Sequence, residues 1–391
     1  MRSVVSVVLF LFPIHLLFIK IKNYLYDKNI LSPTRVGATV ISVGNISLGG
    51  TGKTPFTIAL SNFLVQRGKS VGVLTRGYGR KGRGDFLLKK HSVEEAGDEA
   101  IVLRNNLSKS VPIYISKNKV LGAKKLIDLG CDIIVLDDAF QHRRVHRDLD
   151  IVLLSARELA PSIAFYKPEW HRSTFPYGLL REPFHNLNRA DLFIGTKLEQ
   201  YSYRGMAETA YDPDTDPQMR TVAKVLASYY EWEEGRFELP FFWHDMRFKQ
   251  TLLSSDKNEK ITIKELIRNH LGPEYFIVPG DKKSPADRDV VGIMSICAIG
   301  EPEQFESSLL QLGFPFGVNR KTFPDHHSFT KKDISDIVDM IKKRDIQSII
   351  CTEKDWVKLV RFKKEIGVPI YAVRLDHYLK KDIQDAVLCL L

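Results

Sequence analysis

The chain has 391 residues, 44% of them hydrophobic and 27% charged, which argues against a disordered protein and leaves room for two folded domains. Its formal net charge of +10 predicts an anionic partner: nucleic acid, anionic lipid headgroups or a phosphorylated substrate. The four cysteines are far apart and form no Cys-x-x-Cys pair, so we expect neither disulfides nor a zinc site.

The chain opens with the apolar segment Val4–Ile19, which is followed by several lysines. This order resembles a signal peptide, but no small-x-small cleavage site follows, and the segment is short of the roughly 20 residues that cross a bilayer. We expect residues 1–28 to form a helix on the membrane surface, with Tyr24 and Tyr26 at the interface. A buried core helix is the alternative, although flanking lysines fit a core poorly.

A glycine-rich segment, Gly44–Thr54, follows the apolar strand-like run Ala38–Val43 and precedes the helix-like run Pro55–Val65. Glycines let backbone N–H groups turn toward phosphate oxygens, and the helix N-terminus adds the positive end of its dipole. In such a loop Lys53 reaches the β- and γ-phosphates and Thr54 offers a hydroxyl to Mg²⁺. The residues expected to bind the nucleotide are Gly49, Gly50, Thr51, Gly52, Lys53 and Thr54. We therefore predict that the chain binds ATP.

Apolar strand-like runs alternate with helical segments along most of the chain. The runs include Leu192–Thr196 in the first half and Ser348–Thr352 and Ile370–Val373 in the second. This alternation predicts an α/β fold, with a doubly wound, mainly parallel sheet of the P-loop NTPase type and ligands at the carboxyl ends of its strands. A second, smaller α/β domain follows it.

The domain limits follow from a change in composition. The segment Tyr211–Gln218 is polar and contains proline, which indicates a junction. We divide the chain into the membrane-associated helix at 1–28, a P-loop domain at 29–212 and the second α/β domain at 213–391. Residues 225–285 have no clear pattern and stay unassigned.

Two acidic pairs follow the glycine-rich loop. Asp137 and Asp138 end an apolar strand, where P-loop enzymes place the acid that holds Mg²⁺; a helix cap is the plainer alternative. Asp98 and Glu99 lie near the start of a helix predicted over Ala96–Leu103. One of this second pair could accept a proton from a hydroxyl acceptor, but acids at a helix start also simply stabilise the helix dipole.

Adjacent histidines and arginine clusters complete the candidate residues. His326 and His327 follow an aspartate; they could bind a metal, hydrogen-bond to a catalytic carboxylate, or only cap a loop. Basic clusters occur at Arg76–Arg83, at Arg143–Arg147 and at Arg181, and guanidinium groups suit phosphate. Because no nucleic-acid motif accompanies the charge, we expect no nucleic-acid partner.

Together these segments resemble one family, the tetraacyldisaccharide 4'-kinases, which phosphorylate the lipid A precursor. The matching segments, in family order, are Val43–Pro55, Thr75–Arg80, Gly97–Glu99, Leu136–His142, Leu180–Pro183, Phe323–His327 and Thr352–Asp355. Ser47 replaces the first glycine of the generic P-loop pattern, but the family's loop lacks that glycine as well. Ala139 stands where the family pattern has glycine, which is a small-for-small change.

The resemblance implies an enzyme on the cytoplasmic face of the bacterial inner membrane, bound to inner-membrane lipids. It would transfer the γ-phosphoryl group of ATP to the 4'-hydroxyl of a tetraacyldisaccharide 1-phosphate, with the second domain closing over the site. Catalysis would rest on Lys53, on Asp98 as the base and on His326 as its partner, although His327 remains an alternative. The implied Mg²⁺ ligands are Thr54, Glu99, Asp137 and Asp138. The implied substrate contacts are Tyr78, Gln141, His142 and Arg181.

A membrane-associated P-loop ATPase of the partitioning or transport type is the alternative function. Such an enzyme hydrolyses ATP without a lipid acceptor. Its deviant loop carries a signature lysine at the position where this chain has Gly50, so the sequence does not favour this alternative.

Overall fold

The computed structural model describes residues 16–155, 174–175, 178–197, 241–244, 247–249, 251–255, 261–271, 292–314 and 319–391. Among these residues there are two mainly parallel sheets with helices packed on them. The larger sheet forms the large domain and the smaller sheet forms the small domain. The predicted α/β class with a second, smaller α/β domain is confirmed.

The large domain is built on the first part of the chain. Its elements are a helix over residues 16–27 (α1), Thr39–Gly44 (β1), Lys53–Gln66 (α2), Val71–Thr75 (β2), Phe86–Leu87 (β3), Val93–Ala96 (α3), Asp98–Asn106 (α4), Ile113–Ile115 (β4), Lys119–Ile127 (α5), Ile133–Asp137 (β5), Leu149–Ser155 (β6), Leu192–Thr196 (β7) and Phe241–His244 (β8). A 3-10 helix, Phe184–Arg189, precedes β7.

The large sheet has the strand order β3-β4-β2-β5-β1-β6-β7-β8. Neighbouring strands are parallel except for β3, which runs antiparallel to β4. Strands β1, β2, β5, β6 and β7 are buried almost throughout, which explains their continuous apolar sequence. The parallel order brings the ends of β1, β2 and β5 to one edge, where the predicted loop and acids lie.

The small domain follows in the chain. Its elements, with the short strands that flank it, are Arg247–Phe248 (β9), Leu253–Ser254 (β10), Ile263–Leu271 (α6), Ile293–Cys297 (β11), Pro302–Gln311 (α7), Asn319–Thr322 (β12), Lys331–Lys343 (α8), Ser348–Thr352 (β13), Glu353–Leu359 (α9), Lys363–Ile366 (α10), Ile370–Val373 (β14), Leu375–Asp376 (β15) and Lys381–Leu390 (α11). The small sheet has the order β10-β14-β13-β11-β12, and only β10 is antiparallel to its neighbour.

The chain passes between the domains more than once. Strand β8 pairs with β7 in the large sheet, although it lies beyond the predicted boundary at residue 212. The last helix, α11, returns to the large domain, where Ile383 and Val387 are buried in the same core cluster as Phe56 and Leu60. Since residues 198–240 lie outside the described part, the domain limits stay a prediction.

The predicted N-terminal segment Val4–Ile19 falls mostly outside the described residues. From residue 16 the chain is helical and continues so to residue 27. Leu17, Phe18 and Ile21 are exposed on this helix. Within the part of the chain that the structure describes, no helix combines the length and the apolar character that a membrane span requires.

Candidate active site

The glycine-rich loop joins β1 to α2 in the geometry of a phosphate-binding loop. Gly49 and Gly52 adopt positive φ angles of 126° and 85°, which side chains disfavour. Helix α2 begins at Lys53, and its N-cap Gly52 has no side chain to cap the first N–H groups. Thr196, at the end of β7, donates from Oγ1 to the Thr51 carbonyl at 2.9 Å. The loop is therefore held by the sheet while its N–H groups remain suited to an anion.

A cavity of about 810 Å³ lies against this loop, between the large and small domains. Its walls include the whole predicted nucleotide-binding segment together with most of the other candidates. The predicted site residues on its lining are Gly49, Gly50, Thr51, Gly52, Lys53, Thr54, Tyr78, Glu99, Asp137, Asp138, Gln141, His142, Arg181 and His326. Asp98 lies behind this surface, in contact with His326.

Asp137 ends β5 and is almost fully buried. Two hydroxyls donate to its carboxylate: Thr57 Oγ1 at 3.2 Å from the next turn of α2, and Thr75 Oγ1 at 3.4 Å from the end of β2. Burial, reinforced by the charges of Glu99 and Asp138, raises the pKa of Asp137 to about 6. An acid under this repulsion is suited to a cation, which would favour its ionised form.

Asp138 and Lys53 are neighbours on the same edge. Arg181 Nη1 donates to both carboxylate oxygens of Asp138 at 2.7 and 2.9 Å, and Lys53 Nζ lies 3.6 Å from Oδ1. Burial would raise the pKa of Asp138, but these two cations lower it to about 2. Burial in turn lowers the pKa of Lys53, against the charge of Asp138. Arg181, predicted as a substrate contact, is thus ion-paired with Asp138 here.

The second acidic pair lies at the start of α4, and Gly97 fixes its position. Gly97 has a φ of 90°, and a Cβ there would lie 2.4 Å from the Tyr78 carbonyl oxygen. The predicted helix start at Ala96 was wrong, because the chain breaks at Gly97 and α4 begins at Asp98. Both acids therefore lie in the first turn of α4, beside the Tyr78 loop.

Asp98 faces a histidine from the small domain. His326 Nδ1 lies 3.2 Å from Asp98 Oδ2, and the His326 ring lies 5.0 Å from the ring of Tyr78. Burial would raise the pKa of Asp98, but the hydrogen bond with His326 and the charges of Lys354 and Lys358 lower it to about 2. The same hydrogen bond raises the pKa of His326 above its ordinary value.

His327 has a different partner. Its Nε2 lies 3.0 Å from Asp333 Oδ2, which also accepts hydrogen bonds from Thr330 at the start of α8. His327 thus helps to cap a helix, while His326 contacts the acid of the cavity. The geometry separates two residues that the sequence left equivalent.

Glu99 forms an ion pair with a lysine of the small domain. Lys354 Nζ, in the first turn of α9, donates to Glu99 Oε1 at 2.6 Å. Burial would lower the pKa of Lys354, but the charges of Glu99 and Asp98 raise it above its ordinary value. The neighbouring Lys358 lies 3.5 Å from Asp98 and 3.1 Å from Asp355. The small domain therefore contacts both acids of the second pair.

The remaining predicted substrate contacts also line the cavity. Tyr78 is 61% exposed. Burial, together with the charges of Lys119, Lys22 and Arg76, lowers the pKa of His142 to about 4, so this ring is neutral at pH 7. Gln141 donates from Nε2 to the Asn45 carbonyl at 2.8 Å and to Glu182 at 3.1 Å. Gln141 is thereby fixed by the protein itself.

Comparisons with known proteins show the family. The model of the family described as tetraacyldisaccharide-1-P 4'-kinase matches residues 7–391. This chain belongs to that family. Among the family's members, tetraacyldisaccharide 4'-kinase from Desulfotalea psychrophila is 29% identical over 376 residues, with 94% of this chain and 91% of the relative covered. The Cytophaga hutchinsonii protein of the same name is 31% identical over 354 residues, with 89% and 83% covered.

A solved structure shares the whole fold. The ATP complex of LpxK from Aquifex aeolicus superposes with a TM-score of 0.64 at 26% identity and covers 98% of each chain. The structural match extends over both domains, and the family model matches residues 7–391. The resemblance to this kinase family therefore extends over nearly the whole chain.

The sequence analysis did not predict several residues that the structure places in the site. Thr57 and Thr75 hold Asp137, and the buried Lys119 donates to the Leu74 carbonyl at 3.3 Å near the same acid. Burial lowers the pKa of Lys119 to about 8, against the charge of Asp137. Lys354 lies in the segment Thr352–Asp355, which matched the family, but its contact with Glu99 was not predicted.

Proposed function

We propose that this chain transfers the γ-phosphoryl group of ATP to the 4'-hydroxyl of a tetraacyldisaccharide 1-phosphate, the reaction after which its family is named. One observation carries the proposal: His326 lines the same cavity as the phosphate-binding loop and contacts Asp98 directly behind the cavity wall. A carboxylate near a bound γ-phosphate is the group that transfer to a hydroxyl requires. The ATP complex of the Aquifex aeolicus relative supports ATP as the donor.

In the proposed reaction the bond between the γ-phosphorus and the β–γ bridging oxygen breaks, and a bond to the 4'-oxygen forms. The hydroxyl proton goes to Asp98, whose carboxylate is ionised at neutral pH because its pKa is about 2. His326 orients this carboxylate through its 3.2 Å contact. Lys53 and the N–H groups of Gly49–Thr54 hold the phosphates in line with the acceptor. The products are ADP and the 4'-phosphorylated lipid.

The residues of the cavity also fit Mg²⁺. This ion binds through one or two carboxylates plus substrate phosphates and waters. Asp137 is repelled by the charges of Glu99 and Asp138, and it lines the cavity together with Thr54, which is a donor set of this kind. Among the described residues there is no group of three or more His, Cys, Asp or Glu positioned to hold a metal ion. When bound, the ion would neutralise phosphate charge.

The activity test is direct. Purified protein in detergent is incubated with Mg²⁺-ATP and the disaccharide 1-phosphate lipid, and the lipid is weighed by mass spectrometry. We expect a gain of one phosphoryl group that Lys53→Ala abolishes, because the γ-phosphate loses its cation. ATP hydrolysis without a change in lipid mass would favour the ATPase instead.

We further propose that α1 binds the surface of the inner membrane on its cytoplasmic face. Leu17, Phe18 and Ile21 are 55%, 65% and 49% exposed, and a substrate with four acyl chains stays in the bilayer. Flotation with anionic liposomes tests the proposal. Phe18→Ser with Ile21→Ser should reduce binding, whereas Leu121→Ser, at a residue 44% exposed on α5, should not. Equal flotation of both variants would contradict it.

A further inference from the structure

Lys354 is a cation in the cavity to which the mechanism above gives no part. It belongs to the small domain, yet its Nζ lies 2.6 Å from Glu99 Oε1 in the large domain. Asp98 and Asp325 also act on it electrostatically. Its side chain lines the same cavity as the phosphate-binding loop. Lys354 therefore lies where three acids and the cavity meet.

The local structure of α9 does not account for Lys354. A cation in the first turn of a helix is opposed by the positive end of the helix dipole. The start of α9 is already capped, because Thr352 Oγ1 accepts from the Asp355 N–H at 3.2 Å. The favourable partners of Lys354 lie outside its own helix, in the cavity. Its position is explained by the site rather than by the element that carries it.

The charges of the site indicate what Lys354 does there. During transfer, negative charge spreads over the oxygens of the phosphoryl group, which must also approach Asp98 and Glu99. These carboxylates repel it unless a cation lies between. Lys53 lies 3.6 Å from Asp138, an acid of the other pair. Lys358 is buried and pairs with Asp98 and Asp355, so Lys354 is the better placed of the two lysines of α9.

We propose that Lys354 is a catalytic cation which the small domain contributes to the transferring phosphoryl group, bridging it to Glu99. The proposal rests on the proposed function. Lys354 forms no covalent bond: the phosphoryl group leaves the β–γ bridging oxygen, the 4'-oxygen receives it, and the proton goes to Asp98. A consequence is that the site is complete only while the domains are in contact.

The test compares Lys354→Met with a matched variant, Arg374→Met. Arg374 also joins the domains, since its Nη2 donates to Asn106 Oδ1 at 3.3 Å and its Nε lies 3.5 Å from Glu353. It is not part of the proposed machinery. We expect Lys354→Met to lower kcat by about 100-fold or more with a change of at most about threefold in KM for ATP, as for a cation that acts in the transition state. Lys354→Arg should recover part of the rate, and Arg374→Met should keep most of it.

A binding measurement gives a readout that does not depend on lipid phosphorylation. Titration calorimetry with Mg²⁺-ADP, with and without aluminium fluoride, reports affinity for a mimic of the transferring group. Lys354→Met should weaken binding of the fluoride complex by about 30-fold or more while ADP alone binds as in the unsubstituted protein. Arg374→Met should weaken neither.

Two results separate the proposals. Equal losses of kcat in Lys354→Met and Arg374→Met, with unchanged affinity for the fluoride complex, would show that Lys354 is only a contact between domains. If the unsubstituted protein fails to phosphorylate the lipid, the proposed function falls. The fluoride titration then still decides whether Lys354 contacts the phosphoryl group.

Discussion

The acids of the cavity differ in ionisation because their neighbours differ. His326 and two lysines hold the pKa of Asp98 at about 2, and Arg181 with Lys53 does the same for Asp138. Among the residues that the structure describes, none forms such an ion pair with Asp137, and burial raises its pKa to about 6. Environments that push pKa values apart assign different roles to like side chains. On this ground Asp98 and Asp138 are ionised at neutral pH, whereas a bound cation would stabilise the ionised form of Asp137.

The two adjacent histidines should differ in their effect on catalysis. His326→Gln should lower kcat by about 10²-fold, because the general base loses the group that orients it. His327→Gln removes only a contact with Asp333 at the start of α8 and should leave kcat within about twofold. Steady-state kinetics with the lipid acceptor measure both. Similar losses in the two variants would remove His326 from the proposed pair.

His326 should also contribute to stability in a pH-dependent way. Its pKa is raised in the folded protein, so its favourable contribution is complete below the ordinary pKa of 6.5. The contribution is lost as the pH rises through the folded-state pKa. The difference in unfolding free energy between the unsubstituted protein and His326→Gln should therefore be smaller at pH 9 than at pH 6. Urea unfolding at the two pH values measures it, and a difference that grows with pH would contradict the pairing.

At the scale of elements, helix α1 is fixed to the large domain by polar contacts. Glu182 is 2% exposed and accepts hydrogen bonds from Asn23 on α1, from Gln141, and from Asn186 and Arg189 of the 3-10 helix. Its neighbour in sequence is Arg181, which pairs with Asp138. One buried carboxylate thus links the N-terminal helix to the edge of the cavity.

Removing this carboxylate should destabilise the protein strongly. Glu182→Ala leaves Arg189 and Asn23 without their acceptor in a buried place, which we expect to cost about 3 kcal/mol. Urea unfolding measures the loss, and hydrogen exchange should show faster exchange in residues 16–27. Glu306→Ala, which breaks the partly exposed pair with Arg320, is the control and should cost at most about 1 kcal/mol. Equal costs would mean that the Glu182 cluster does not anchor α1.

At the scale of the whole molecule, the two domains are connected by more than the residues that line the cavity between them. The chain leaves the large sheet, builds the small sheet, and returns with α11, which packs into the large core. Contacts such as Lys354 with Glu99 and Lys197 with Glu301 cross between the two sheets. The stability of the large domain should therefore depend on the last residues of the chain.

A core substitution in α11 tests that dependence. Ile383→Ala should cost about 2–5 kcal/mol and speed hydrogen exchange in the large domain, because it opens a cavity in the core of that domain. Cys389→Ala on the exposed face of the same helix is the matched control and should change stability by at most about 0.5 kcal/mol. Faster exchange confined to the small sheet would show that α11 does not support the large domain.

Much of the fold could be predicted because buried parallel strands have continuous apolar sequences. Leu192–Thr196, Ser348–Thr352 and Ile370–Val373 have the predicted bounds. Strand β8 was missed, since its four residues lie in a stretch without a clear pattern and pair across the large sheet. The helix start at Ala96 was misplaced because the close approach of Gly97 to Tyr78 is a tertiary contact.

The sequence by itself determined the phosphate-binding loop and the acids at the strand and helix ends, because these depend on the order of neighbouring residues. Only the tertiary structure decided that His326 rather than His327 meets Asp98, and that Lys354 meets Glu99. Those partners are 228 and 255 positions apart in the chain. No local sequence pattern predicts contacts between residues so far apart in the chain, because the packing of the small domain against the large domain brings them together.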